Sequence, residues 1–362
     1  MRRRVAIVYN ELIKSRYDAR GEQAAEAGVL EAVEAVHDAL LELGYGVVKV
    51  PLAPPLGRAR QKLSALEADL VFNLFEGFAG YPATEAGLAE ILAALGMPFT
   101  GCPAGALKLA LDKAKTKSIL RSAGISTPDF QLLRPETLSS FRLSYPCIVK
   151  PRREDASHGL SAQNVVYDAS SLEAQVTAVG RYYGGQALVE HFIEGREFNV
   201  TVLGNSSYTV LPVSEINYFL PEGEPRLLTF AAKWQPDSLY FQGTKVVCPA
   251  EIGTEEKEDI AQTALNVFGL LGCRGYARVD MRRDETGQLN VIEVNPNPDI
   301  APGTGAARQA EAAGMTYPQF IDKIVQLALE KKEDDGQDTP DAKKGQAGPD
   351  GPTAPHAGVQ TG

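Results

Sequence analysis

Residues 276–296 read YARVDMRRDETGQLNVIEVNP, two β-forming runs separated by the polar segment DETG at 284–287. A short polar segment that contains glycine, placed between two such runs, predicts a β-hairpin. Asp280 and Glu293 then lie side by side on neighbouring strands, and Asn295 points to the same face as Glu293 because side chains alternate along a strand. The hairpin therefore predicts two carboxylates and an amide oxygen in one place.

Asp280, Glu293 and Asn295 offer the hard oxygen ligands that Mg²⁺ prefers when it also holds substrate phosphates. Two adjacent carboxylates without a cation would repel each other, and one of them would take up a proton. The three residues are therefore predicted to bind Mg²⁺, with Mn²⁺ as an alternative ion. The competing interpretation is a solvated, charged hairpin that binds no metal.

Residues suited to phosphate contacts occur earlier in the chain. Lys150 follows the apolar residues Cys147 to Val149, and a lysine at the end of a buried strand is uncommon unless it is paired. The following loop contains Ser157, and its backbone N–H groups can face a phosphate. Lys113 lies on a predicted helix. Each feature alone is more often an ordinary surface lysine or loop, so its weight depends on the combination.

Two acidic residues flank the dipeptide Gly195-Arg196. Carboxylates such as Glu190 and Glu197 can accept hydrogen bonds from ribose hydroxyls or from the adenine amino group. The alternative is a charged surface turn.

The spacing of apolar residues divides the chain into two kinds of region. Before residue 101, short strands alternate with helices, which predicts an open and parallel α/β sheet. Between 147 and 203, strands cluster around one helix, which predicts an α+β module, and 217–245 is predicted to be irregular. The predicted strands are 5–9, 47–50, 70–72, 147–150, 163–167, 187–190, 198–203, 276–281 and 289–294, and the predicted helices are 22–43, 85–95, 105–123, 171–183, 254–271 and 317–331.

Composition narrows the classes of partner. The net charge of −10 argues against a general nucleic-acid binder. The sequence contains no run of 18 apolar residues, so no membrane-spanning helix is predicted. The four cysteines are well separated, which fits a reduced, cytoplasmic protein better than a zinc site or a disulfide framework. Residues 333–362 have almost nothing apolar to bury and are predicted to be disordered.

The motifs gain weight from the order in which they occur. The series resembles the ATP-grasp superfamily and, within it, the D-alanine–D-alanine ligases, with coverage from about residue 5 to 330. The motifs in chain order are Asp112-Lys113, Val149-Lys150-Pro151, Glu190, Gly195-Arg196-Glu197-Phe198, Ala232-Lys233, Ala277-Arg278-Val279-Asp280 and Ile292-Glu293-Val294-Asn295-Pro296.

The resemblance implies an ATP-grasp fold with an N-terminal open parallel α/β domain (1–110) and two α+β subdomains (111–197 and 198–332) that sandwich ATP. It implies that ATP is bound by Lys113, Lys150, Ser157, Glu190, Glu197 and Lys233, and that Mg²⁺ is bound by Asp280, Glu293 and Asn295. Arg278 and Lys233 take the catalytic positions. The implied reaction joins a carboxylate to an amine through an acyl phosphate, with small molecules, amino acids above all, as substrates. A homodimer is left open.

The departures from the resembled family fall on the amino-acid side. The family binds its first D-alanine with a Glu, a Ser and a Tyr, where this chain has Glu22 (or Glu26), Ala156 and Trp234. Ala156 has no hydroxyl and Trp234 can donate but not accept a hydrogen bond. Thr304 stands where a Ser would bind the second substrate. We therefore predict the same reaction with a different, bulkier or non-amino, first acid.

Two alternatives stay open at this point. One is a genuine D-alanine–D-alanine ligase of cell-wall synthesis, in which other residues rebuild the missing contacts. The other is a nucleotide-binding module without catalysis, which the intact set Lys150, Arg278, Asp280, Glu293 and Asn295 disfavours.

Overall fold

The computed structural model describes residues 2–18, 21–22 and 24–330. The tail predicted to be disordered, 333–362, and the side chain of Glu26 lie outside the described residues. None of the described helices combines the length and the apolar character needed to cross a bilayer.

The N-terminal part is a three-stranded parallel sheet in the order β2-β1-β3, as the alternation of strands and helices predicts. Val5 and Ile7 face one hydrophobic cluster and Ala6 and Val8 face another, so both faces of the central strand are covered. The elements are β1 (Arg4–Asn10), α1 (Ala24–Glu42), β2 (Gly46–Leu52), α2 (Leu56–Ser64), β3 (Leu70–Leu74) and α3 (Ala83–Ala94).

The predicted single helix 105–123 is wrong. The chain forms two helices, α4 (Ala104–Leu111) and α5 (Lys113–Ser122), separated by Asp112. The Asp112 carboxylate accepts a hydrogen bond from the backbone N–H of Lys115 and thereby caps α5. It also pairs with Arg152, and this contact, far away in sequence, could not be read from helical periodicity.

The central part is an antiparallel sheet in the order β4-β7-β5-β6, with one helix packed on it. Lys150 is the fourth residue of β5, next to the edge from which the loop 152–159 leaves. The predicted strand 163–167 shrinks to two residues, and the strand β4 was not predicted. The elements are β4 (Phe130–Leu133), β5 (Cys147–Pro151), β6 (Val165–Val166), α6 (Ala169–Tyr183) and β7 (Ala187–His191).

The C-terminal part is a second antiparallel sheet in the order β11-β10-β8-β12-β13, with β9 paired to β8. The segment 217–245 is not irregular throughout, since it contains α7, α8 and the start of β11. The elements are β8 (Arg196–Gly204), β9 (Tyr208–Val210), β10 (Ser214–Tyr218), α7 (Phe230–Trp234), α8 (Leu239–Gly243), β11 (Thr244–Val247), α9 (Thr254–Leu270), β12 (Gly275–Arg283), β13 (Leu289–Pro296), α10 (Gly305–Ala312) and α11 (Tyr317–Leu329).

The predicted hairpin is confirmed. Strands β12 and β13 pair in antiparallel register, with Asp280 directly opposite Glu293 and Arg278 directly opposite Asn295. A register shift follows Asp280, where the ladder passes to the pair Met281 and Val291. The four polar residues of this hairpin are therefore direct neighbours on the two strands.

Candidate active site

The hairpin carries a compact set of hydrogen bonds centred on Asp280. Arg278 donates from Nε to Oδ1 and from Nη2 to Oδ2 of Asp280, at 2.7 and 2.8 Å. Asn295 Nδ2 donates to Asp280 Oδ2 at 2.9 Å, which leaves the amide oxygen of Asn295 for another partner. Burial alone would disfavour the charge of Arg278, but Asp280 keeps its pKa above the ordinary value.

Glu293 completes the acidic group and is paired with Lys113 on α5, with 2.9 Å between Nζ and Oε1. Burial alone would raise the pKa of Glu293, yet Lys113, with Lys150 and Lys233, lowers it to about 2. The carboxylate is therefore charged at neutral pH. The predicted phosphate lysine and the predicted metal ligand are direct neighbours.

Glu190 lies between two lysines. Its Oε2 is 3.4 Å from Nζ of Lys150 and 3.4 Å from Nζ of Lys117. Its Oε1 is buried and has no hydrogen-bond partner among the described residues. A carboxylate oxygen left in this state is a place for a hydrogen-bond donor from a bound molecule.

Lys117 is a site residue that sequence reasoning missed. Burial lowers its pKa to about 8, and its Nζ also donates to Thr127 at 2.8 Å. The signal was present in the sequence, because Lys117 stands four residues after Lys113 and therefore on the same face of α5.

Glu197 is held by Arg282 and Tyr218. Arg282 Nε donates to Glu197 Oε2 at 2.9 Å, and the Tyr218 hydroxyl donates to the same oxygen at 2.7 Å. Neither partner was predicted, since both depend on the pairing of β8 with β10 and β12. Tyr218 and Arg282 thus bond to Oε2 of Glu197 and not to Oε1, and Glu197 lines the same cavity as Glu190.

Lys233 stands where two cavities meet. The first lies between the two antiparallel sheets and is lined by Lys150, Ser157, Glu190, Glu197, Asp280 and Glu293. The second is a cleft of about 610 Å³ toward the N-terminal part, lined by Ala156, Trp234, Arg278, Asn295, Thr304 and Arg308 among others. Lys233 and Asp280 line both cavities. Burial lowers the pKa of Lys233, and Arg278 adds to this effect.

The loop 152–159 separates these cavities and is conformationally strained. Ala156 and Ser157 adopt φ values of 48° and 62°, in the left-handed region that costs a residue with a Cβ about 1–2 kcal/mol. The Ser157 hydroxyl donates to the carbonyl of Leu228 at 3.2 Å. Strain of this kind persists where surrounding contacts determine the backbone, which is common at ligand sites.

Those surrounding contacts come from the segment after β1. Tyr17 donates to Glu154 Oε2 at 2.5 Å, and Arg16 pairs with Glu154 Oε1 at the same distance. The ring of His158 stacks on Tyr17 with centroids 3.6 Å apart. No motif in the sequence pointed to these residues.

Glu22, predicted to contact substrate, lies behind His158. Glu22 Oε2 is 3.0 Å from His158 Nδ1, and the Tyr183 hydroxyl donates to Glu22 at 3.1 Å. His158 lines the large cleft, whereas Glu22 is not among the described residues that line it. The structure therefore brings together every predicted site residue but places Glu22 one layer back.

The residues fit the groups that the sequence implies. Glu190 Oε1 is an unpartnered acceptor inside a cavity lined by lysines, as a nucleotide with amino and hydroxyl donors requires. Two carboxylates and an amide oxygen on adjacent strands suit Mg²⁺. Among the described residues, no group of three or more His, Cys, Asp and Glu forms an alternative metal site.

Two α+β modules, each with an antiparallel sheet, enclose a cavity lined by lysines and by the acidic hairpin. This arrangement defines an ATP-grasp protein. Residues 119–326 match the family described as D-ala D-ala ligase C-terminus. The chain is 32% identical to the D-alanine–D-alanine ligase of Desulforudis audaxviator over 308 residues, covering 83% of this chain and 94% of that enzyme. It is 36% identical to the protein y4sG of Sinorhizobium fredii over 265 residues, covering 73% of this chain and 76% of the relative.

A solved structure shows the same fold. The D-alanine–D-alanine ligase of Bacillus anthracis complexed with ATP superposes with a TM-score of 0.69 at 23% identity, covering 91% of this chain and 97% of that chain. The chain belongs to the D-alanine–D-alanine ligase family of ATP-grasp C–N ligases.

Proposed function

We propose that the protein is an ATP- and Mg²⁺-dependent ligase that activates a small carboxylic acid as an acyl phosphate and joins it to the amine of an amino acid. The observation that carries this proposal is the meeting of the two cavities at Lys233 and Asp280. A nucleotide in the first cavity would present its terminal phosphate to an acid in the second.

The nucleotide cavity supplies the contacts for ATP. The unpartnered Oε1 of Glu190 and the carboxylate of Glu197 would accept hydrogen bonds from the adenosine part, and Ser157, on the loop that lines the cavity, would contact the phosphates. Lys113, Lys150 and Lys233 place positive charge around the phosphate end, as phosphoryl transfer requires.

The hairpin supplies the metal ligands. Asp280, Glu293 and Asn295 would hold Mg²⁺ through two carboxylates and the free amide oxygen of Asn295. When bound, the ion neutralises charge on the transferred phosphoryl group and ATP supplies that group. The low pKa of Glu293 keeps this ligand charged, although burial works against it.

Arg278 and Lys233 act on the acid. Arg278 lines the acid cleft beside Asp280, so its guanidinium stabilises negative charge on the reacting carbonyl oxygen. Lys233, whose pKa is lowered mainly by burial, lines both cavities and would stand between acid and nucleotide. Thr304, at the start of α10, faces the part of the cleft assigned to the second substrate.

Ala156 and Trp234 line the acid cleft without offering a hydrogen-bond acceptor from their side chains, which supports a cleft that is not built for alanine. The Trp234 ring lies against Gly28, where even one added carbon would be 3.1 Å from the ring. We infer a first acid other than D-alanine. The four free cysteines fit a cytoplasmic site of action.

The test is release of ADP and phosphate with a panel of amino acids and small carboxylates, followed by the mass of the product. An acid labelled with ¹⁸O must transfer one labelled oxygen to phosphate if an acyl phosphate forms. Absence of ATP consumption with every pair in the panel, or phosphate free of label, would contradict the proposal.

A further inference from the structure

His158 occupies a position in the acid cleft that neither the motifs nor the family relationship assigns. It belongs to the strained loop 152–159, and only 3% of its surface is exposed. Its ring is clamped by Tyr17, which is stacked at 3.6 Å, and by Phe230, whose ring centroid is 5.6 Å away. The ring therefore has one fixed orientation.

The two ring nitrogens have different surroundings. Nδ1 faces Glu22 Oε2 at 3.0 Å, and Glu22, which is 6% exposed, is itself fixed by Tyr183. Nε2 has no hydrogen-bond partner among the described residues, and this atom is not fully buried. Since His158 lines the acid cleft, Nε2 is the atom that a molecule in the cleft can reach.

The carboxylate of Glu22 determines which ring nitrogen of the neutral imidazole carries the hydrogen. A carboxylate only accepts hydrogen bonds, so the neutral imidazole carries its hydrogen on Nδ1 and its lone pair on Nε2. The pair then presents an acceptor to the cleft with a negative charge directly behind it. Such an acceptor suits an ammonium group, and it stands on the acid side of the cleft, where Ala156 offers no hydroxyl.

We propose that His158 is the binding residue for the α-ammonium group of the first substrate, an α-amino acid, and that Glu22 is a positioning residue that acts through the ring. This inference rests on the proposed ligase function and adds the group that recognises the acid. It revises the predicted direct contact between Glu22 and substrate.

The direct test is ¹⁵N NMR of the full-length protein, which has four histidines. We expect the ¹⁵N resonance of His158 Nε2 to shift when an α-amino acid is added, with D-alanine as the first probe of a panel of D and L forms. The acid of the same skeleton without the amino group should leave it unmoved. His37, which pairs with Asp38 on α1, is the internal control.

Variants separate binding from structure. His158→Phe keeps a ring against Tyr17 but removes Nε2, so we expect KM for the amino acid to rise about tenfold with KM for ATP unchanged. His158→Gln returns an acceptor near the cleft and should recover part of the loss. Glu22→Gln removes the charge behind the ring and should raise the same KM about threefold while shifting both nitrogens.

The outcomes are distinguishable. If the panel supports ATP-dependent ligation but no amino acid moves Nε2, or His158→Phe leaves every KM unchanged, the inference about His158 is overturned and the ligase function stands. If neither ligation nor a shift is observed with any member of the panel, the proposed function fails and the inference fails with it.

Discussion

At the scale of single residues, the site depends on charges that compensate each other. Asp280 is engaged by Arg278 and Asn295, and Glu293 by Lys113. Each acid has a protein partner, and an amide of the same shape at either position removes a charge that the proposed reaction needs.

We therefore expect Asp280→Asn and Glu293→Gln to lose nearly all turnover at saturating Mg²⁺. The loss of a ligand to the ion removes stabilisation of the phosphoryl group, an effect of about 100-fold or more. Steady-state kinetics with melting curves measure it. Glu42→Gln, at the end of α1, serves as the matched control. Turnover at the wild-type rate in either site variant would show that the hairpin holds no essential metal.

The pKa of Glu293 predicts a dependence of stability on pH. Its value is about 2 in the folded protein against an ordinary 4.5, despite burial, because Lys113 and two further lysines favour the charged form. The ion pair therefore stabilises the fold fully above pH 4.5, and this contribution is lost as the pH falls toward 2.

Urea denaturation between these pH values should show a shallower loss of unfolding free energy in Glu293→Gln than in the wild type. Lys113→Met should flatten the curve in the same way, since it removes the other partner. Parallel curves for all three proteins would mean that the pair is not formed in solution.

At the scale of elements, the sequence predicted what is local and missed what is not. The hairpin of β12 and β13 was predictable because its turn and its alternation lie within 21 residues, from 276 to 296. The break between α4 and α5 was not, because Asp112 is held by Arg152, 40 residues further along the chain. The contact of Glu22 with His158 joins residues 136 positions apart, beyond the reach of any periodicity.

A junction between elements gives a stability prediction. Asn297, just after β13, accepts a hydrogen bond from the backbone N–H of Cys102 at 2.6 Å and donates to Glu85 of α3 at 3.1 Å. Gly101 has a φ of 91°, and a Cβ there would lie 2.2 Å from Asn297 Oδ1. Substitution must therefore displace the amide that links α3 to the hairpin.

We expect Gly101→Ala to lower the free energy of unfolding by at least about 1 kcal/mol more than Gly124→Ala does. Gly124 is the matched control, because its φ is 75° but nothing lies within 4 Å of the added carbon. Chemical denaturation of both variants measures the difference. Equal losses would show that the backbone angle, and not the collision with Asn297, determines the cost.

At the scale of the whole molecule, the described elements end with α11, whose residues Phe320, Ile321, Ile324 and Val325 are buried against the N-terminal sheet and α1. The chain beyond, from 335 to 362, is outside the described residues and has almost no apolar side chain to bury.

Deletion of 335–362 should leave ligase activity and the melting temperature nearly unchanged. A longer deletion that starts at 318 removes the buried face of α11 and should abolish stable folding, which makes it the contrasting control. Differential scanning calorimetry compares the three proteins. A loss of many degrees in the shorter deletion would show that the tail contributes to the folded state.

Selection of the first acid depends on the whole molecule, because three segments that are distant in sequence line the proposed acid-binding part of the cleft. Tyr17 comes from the segment after β1, Ala156 and His158 from the loop after β5, and Trp234 from α7. Trp234 adds bulk and an apolar face, and its Nε1, which is buried without a partner among the described residues, can donate but not accept a hydrogen bond. The wall that the cleft presents to the acid is therefore largely aromatic.

We accordingly expect D-alanine paired with itself to be a poor substrate, with a kcat/KM at least about tenfold below that of the best pair in a panel of amino acids and small acids. A site that recognises its substrate through hydrogen bonds loses discrimination when those partners are absent, and Ala156 and Trp234 remove two of them. Replacement of Trp234 by Tyr, alone and together with Ala156→Ser, should move the preference toward D-alanine. Phe241→Leu, at another position of the cleft lining, controls for general loosening. If D-alanine is the best substrate on both sides in the wild type, the aromatic wall is neutral for specificity and the chain is a ligase of the ordinary cell-wall kind.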